Sequence, residues 1–81
     1  MSSRKSILLV DDDEALRQSL AEQLGGYEEF SATEAANSAE ALEVVKSKRF
    51  DLILLDVGLP DMDGRELCKL MRRNGVKAPV I

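Results

Sequence analysis

Four aspartates hold most of the chemical potential of this sequence: Asp11, Asp12 and Asp13 at the end of one apolar run, and Asp56 at the end of another. Carboxylates gathered at one place repel one another, and a bound divalent cation is the natural neutraliser. The chain has no histidine and a single cysteine. An all-oxygen donor set favours a hard ion, magnesium over zinc or copper. Two blander readings compete with this one. Acids at a helix start favour the positive end of the helix dipole, which would account for Asp11–Asp13, and an aspartate after a strand is ordinary turn chemistry, which would account for Asp56. Asp61-Met62-Asp63-Gly64 invites a calcium-loop reading, but Leu59 and Leu70 stand where that motif needs ligands.

The elements that must bring the aspartates together are legible from periodicity. Ile7-Leu8-Leu9-Val10 reads as a strand buried on both faces, and so does Phe50-Asp51-Leu52-Ile53-Leu54-Leu55. Leu16, Leu20 and Leu24 fall four apart after Glu14, which predicts an amphipathic helix of about three turns stopped by Gly25-Gly26. Tyr27–Ala36 is weakly patterned, with Phe30, Ala32 and Thr33 suggesting a short edge strand. Asn37-Ser38 offers an N-cap to a second helix reaching Lys48, and Leu67, Leu70 and Met71 mark a third, ended by Asn74-Gly75. Val57–Gly64 is dense in turn residues and predicts an exposed loop, while Pro79-Val80-Ile81 reads as the opening of a fourth strand. The order β1-α1-β2-α2-β3-α3-β4 implies an α/β fold with a parallel sheet and right-handed crossovers. In such a sheet the functional crevice lies beyond the carboxyl ends of the strands, so Asp11, Asp12, Asp13 and Asp56 should converge.

Read together, Ile7–Asp13 and Asp51–Gly64, separated by about 40 residues of helix, weak strand and helix, resemble the receiver domain of bacterial response regulators. The resemblance implies a partial flavodoxin-like, doubly wound parallel sheet, with residues 1–81 forming the N-terminal part of one such domain. It implies that Asp56 accepts a phosphoryl group from a sensor histidine kinase or phosphotransfer protein and so switches an output domain, a signalling role rather than turnover. It implies Mg2+ held by Asp12, by Asp11 partly through water, by Asp56 and by the backbone carbonyl of Gly58. Receivers also use a Ser or Thr ending strand four and a Lys ending strand five, positions beyond this chain. Lys77 precedes strand four and Lys69 sits on a helix, so neither is a substitute. Ile81 is therefore expected to be a truncation point, with helix four, strand five and helix five to follow in the parent.

Composition bounds the remaining possibilities. At 81 residues, 44% hydrophobic and 32% charged, the chain is one globular unit. A net charge of −4 argues against a nucleic-acid surface, so transcription regulation, if the parent has it, belongs to other sequence. One cysteine, Cys68, expected to be packed, and no apolar leader point to the cytoplasm, and no run is long enough for a membrane span. A sheet with one face half covered, or with strand four as a bare edge, is expected to self-associate into a homo-oligomer. Two rivals remain at this point. One is a haloacid-dehalogenase-type phosphatase with an aspartate nucleophile, although Gly58 stands where those enzymes place a second acid. The other is an inert, self-associating fragment.

Overall fold

A computed structural model describes residues 4–81. Three strands, β1 (Lys5–Val10), β2 (Phe30–Ala35) and β3 (Leu52–Leu55), alternate with three helices, α1 (Glu14–Gly25), α2 (Ser38–Ser47) and α3 (Gly64–Arg73). The sheet is parallel in the order β2-β1-β3, with Leu8 opposite Thr33 and Ile53, and Val10 opposite Ala35 and Leu55. The α/β architecture and the parallel sheet are therefore as the sequence predicts.

β1 is central, and its four apolar residues from Ile7 to Val10 are all buried, as a strand covered on both faces requires. Alternation along the strand sends Leu8 and Val10 into a core with Ile53, Ala41, Leu67 and Met71, beneath α2 and α3. The opposite face belongs to α1, which buries none of its own residues completely. Leu16 remains 47% exposed, while Leu20, Leu24, Leu52 and Leu54 are only half-buried. This face is half covered, in keeping with the sequence reading.

Three boundaries differ from expectation. β3 begins at Leu52 rather than Phe50: Asp51 N–H still reaches Ser6 O of β1 (2.8 Å), but Ser6 N–H donates to the Asp51 carboxylate (2.7 Å) instead of to a strand carbonyl. β2 runs the full length of β1 on an edge, where its polar Ser31, Thr33 and Glu34 do not need a second apolar face. The loop from Val57 to Asp63, with Gly64 opening α3, is not exposed throughout. Leu59 is buried in the core, Met62 packs against it, and Gly64 is buried. The final residues follow β3 in parallel, with Ile53 N–H on Pro79 O (2.9 Å) and Leu55 N–H on Ile81 O (2.8 Å), which is the predicted opening of a fourth strand.

Each helix start is capped by a side chain the sequence supplies. Asp13 accepts from Leu16 N (3.0 Å), Asn37 from Glu40 N (2.9 Å), and Asp63 from Arg65 N (2.8 Å). Glu40 returns its carboxylate to Ala36 N at 2.7 Å, a reciprocal arrangement that fixes the entry to α2.

Candidate functional site

The site follows from the register. Val10 and Leu55 are partners in neighbouring parallel strands, so the residues just beyond them, Asp11 and Asp56, emerge side by side at the carboxyl edge. Asp56 N–H donates to Val10 O (2.9 Å), which extends the β1–β3 ladder by one bond and ties the backbone of Asp56 to the root of the acidic segment. Asp11, Asp12 and Asp56 each offer a carboxylate oxygen, and these atoms all lie within 4.8 Å of one another. Asp11 and Asp56 are half-buried, and Asp12 is exposed.

Asp13 does not join them. Its carboxylate is committed to the α1 cap and its N–H donates to Asp11 Oδ1 (2.9 Å), so the helix-start reading holds for this one member of the triplet. Gly58 lies beside Asp56, its N–H donating to Asp56 Oδ1 at 3.1 Å. A Cβ there would stand 3.7 and 3.9 Å from the two Asp56 oxygens, so the position is near the carboxylate without being reserved for glycine. Lys69 pairs with Glu66 on the surface of α3, and Lys77 lies in the loop at the opposite end of the sheet. Neither is among the groups around Asp56. Cys68 is half-buried.

Two groups that the local pattern did not reveal shape this site. Arg17 reads as part of the polar face of α1, yet its side chain is only 12% exposed. It donates to the backbone carbonyl of Asp11 (2.7 Å) and to Glu34 Oε1 on β2 (2.9 Å), clamping the exit of β1 to the neighbouring strand. With Asp11, Asp56, Leu20 and Leu54 it lines a cavity of about 220 Å3 on the α1 side. Asp61 is the second. Its carboxylate accepts from Ser38 N (3.0 Å) and Ala39 N (3.2 Å), 22 to 23 residues away in sequence, so the loop after Asp56 is anchored on the start of α2.

The caps carry a pH signature. Hydrogen bonds from the Ser38 side chain and backbone hold Asp61 below its ordinary value of 3.8, and the Arg65 backbone and guanidinium do the same for Asp63. A carboxyl lowered in the folded state contributes stability that is complete above the unfolded value and is lost as pH falls through the folded one. Unfolding midpoints measured down an acid series should therefore fall below about pH 4, and Asp61→Asn should flatten that limb. An acid limb unchanged by Asp61→Asn would remove this cap from the explanation.

The response regulator receiver domain model matches residues 7–81 of the chain. Curated relatives include the response regulator MprA of Mycolicibacterium vanbaalenii and that of Mycobacterium avium, each 40% identical over 75 residues. That alignment takes in 93% of this chain and 32% of each relative, so the chain spans about a third of their length. Among solved structures, the chemotaxis protein CheY4 of Vibrio cholerae superposes with a TM-score of 0.90 at 31% identity, covering 96% of this chain and 66% of that one. The response regulator protein TrrA of Thermotoga maritima, solved in complex with Mg(2+)-BeF, gives 0.83 at 34% identity, covering 94% and 65%.

Proposed function

The chain belongs to the response regulator receiver domain family, and on that premise we propose that Asp56 accepts a phosphoryl group with the help of Mg2+ held by Asp11, Asp12, Asp56 and the Gly58 carbonyl. The observation that supports this most directly is the meeting of three carboxylate oxygens within 4.8 Å at the carboxyl edge of the sheet. An all-oxygen, anionic donor set with an exposed member fits a hard divalent ion that keeps part of its water. When bound, the ion would offset the repulsion between three carboxylates and an arriving phosphate and stabilise the oxygens in transfer.

The chain's own groups supply the rest. An Asp56 carboxylate oxygen forms a bond to phosphorus as the bond to the donor, a phosphohistidine nitrogen of a sensor kinase or phosphotransfer protein, breaks, giving an acyl phosphate. The Gly58 N–H, 3.1 Å from Asp56 Oδ1, fixes the rotamer of that carboxylate. The Arg17 clamp on the Asp11 carbonyl keeps the acidic segment from drifting. Asp61 couples the loop after Asp56 to α2, a route by which a change at the carboxylate would reach a helix surface.

In this reading the phosphorylated state biases an output domain carried elsewhere in the protein, in the cytoplasm. The half-covered face around Leu16, Leu20 and Leu54 supports self-association, which light scattering at high concentration should register as a mass above that of one chain.

Acetyl phosphate with magnesium, followed by intact mass and peptide mapping, tests the assignment. A single phosphoryl group on Asp56, absent when a chelator is present from the start of the reaction, is the expected result. Sustained release of phosphate from small esters would instead favour a hydrolase of the haloacid-dehalogenase kind.

A further inference from the structure

Net charge conceals a strong segregation. Six of the eleven Lys and Arg residues stand in two short stretches, Lys46, Lys48 and Arg49 at and just after the end of α2, and Arg72, Arg73 and Lys77 at the end of α3 and in the loop that follows. The rest of the chain holds fifteen acids against five cations. Both stretches end helices that feed the amino-terminal edge of the parallel sheet, so the topology gathers them at the pole opposite Asp56.

There, parts of both stretches border an open cleft of about 550 Å3, within the usual range for small-molecule sites. Lys46, Lys48, Arg49 and Lys77 line it, Phe50 and Val76 supply apolar wall, and no Asp or Glu contributes. Asp51, the nearest acid in sequence, turns its carboxylate to Ser6 N. Among the described residues the ion pairs are Arg17–Glu34, Arg65–Asp63 and Lys69–Glu66, and none uses a cation of this pole. Cations do complement helix C-termini, but each terminus carries only about half a charge, so two helices account for roughly one of the four.

The walls are also organised. The Arg72 guanidinium donates to Val76 O (2.9 Å) and Ala78 O (2.8 Å), pinning the loop that carries Lys77. Lys48 is held 3.3 Å from Thr33 Oγ1, with its ammonium 5.6 Å from the centre of the Phe50 ring.

We propose that this cleft binds a compact anion bearing two or more phosphoryl groups, by charge-assisted hydrogen bonds from Lys46, Lys48, Arg49 and Lys77. Such an anion engages a few converging cations at one place, which differs from the extended basic face that duplex nucleic acid needs and that the overall charge argues against. The site lies at the other end of the sheet from Asp56, so its fate is independent of the phospho-acceptor reading.

Amide spectra of the whole chain in metal-free buffer, titrated with pyrophosphate, ADP and adenosine at millimolar concentrations, test it. Pyrophosphate and ADP should shift amides of residues 46–50 and 75–78, and adenosine should not. Tighter binding of ADP assigns the source to a nucleotide, with the apolar wall contributing, whereas equal binding assigns it to the phosphates alone. Lys46→Gln with Lys77→Gln, both exposed and outside the core, should weaken binding about tenfold while leaving the circular dichroism unchanged. The proposal is overturned if neither phosphate shifts these amides, if the shifts fall only around Asp56, or if the double variant binds as before.

Discussion

A chain carrying Asp56→Asn will take up no phosphoryl group from acetyl phosphate, a loss of at least about a hundredfold, because an amide is not a competent nucleophile toward phosphorus. The same substitution should do something that a merely structural aspartate would not. Asp11, Asp12 and Asp56 crowd three carboxylates into one place, and neutralising Asp56 relieves repulsion of the order of 1 kcal/mol in total once water and salt screen both of its contacts. Metal-free Asp56→Asn should therefore be slightly more stable than the parent, by about 1 kcal/mol. It should also lose most of the rise in melting temperature expected if magnesium binds the folded parent. Thermal melts with and without magnesium read both signs in one experiment. Surviving label, or an undiminished magnesium effect, would remove Asp56 from the role assigned to it.

Gly64→Ala is the second large effect, and its cause is steric. A Cβ at Gly64 would stand 2.7 Å from Asp56 O and from Val57 Cα, and 3.3 Å from the Asp56 carbonyl carbon. These are backbone atoms, so no side chain can rotate away, and either the start of α3 or the Asp56–Val57 segment must move. Gly64 N–H also donates to Val57 O at 3.0 Å, a bond that any such displacement strains. A cost of about 1–3 kcal/mol is expected, which for a domain this small corresponds to roughly 4–8 °C of melting temperature per kcal/mol. Phosphoryl uptake measured well below the melting temperature should fall as well, since the moved atoms are those of the proposed acceptor. Gly25→Ala is the control: nothing lies within 4 Å of a Cβ there and it ends a helix, so it should be neutral or mildly stabilising. An unmoved Asp56 amide in the Gly64→Ala spectrum would refute the steric account.

Much of the fold was legible because β1 and β3 are so apolar. Four consecutive buried residues in β1 leave little alternative to a central strand, and placing Asp11 and Asp56 beyond partnered positions then follows from parallel topology. β2 was harder, since an edge strand satisfies its backbone on one side only and tolerates Ser31, Thr33 and Glu34 with no clean alternation. Asp13 looks by composition like its neighbours, yet one residue along the turn sends its carboxylate to the α1 cap instead. Asp61 reads as turn chemistry because its partners, Ser38 and Ala39, are distant in sequence and meet it only once β3 and α2 have packed. Arg17 was hidden for the same reason, as its partner Glu34 belongs to another strand. The buried Leu59 inside a loop rich in Gly, Pro and Asp shows the converse, a single apolar residue anchoring a segment whose local signal is all turn.

On the reading proposed above, Asp11, Asp12 and Asp56 form one cation site at the carboxyl edge of the sheet. Titrating magnesium into the isotope-labelled chain and following its amides tests this most directly. Saturable shifts concentrated at Asp11, Asp12, Asp56 and Gly58, abolished by Asp12→Ala, are expected. Shifts confined to Asp61 and Asp63, or none at millimolar magnesium, would contradict it.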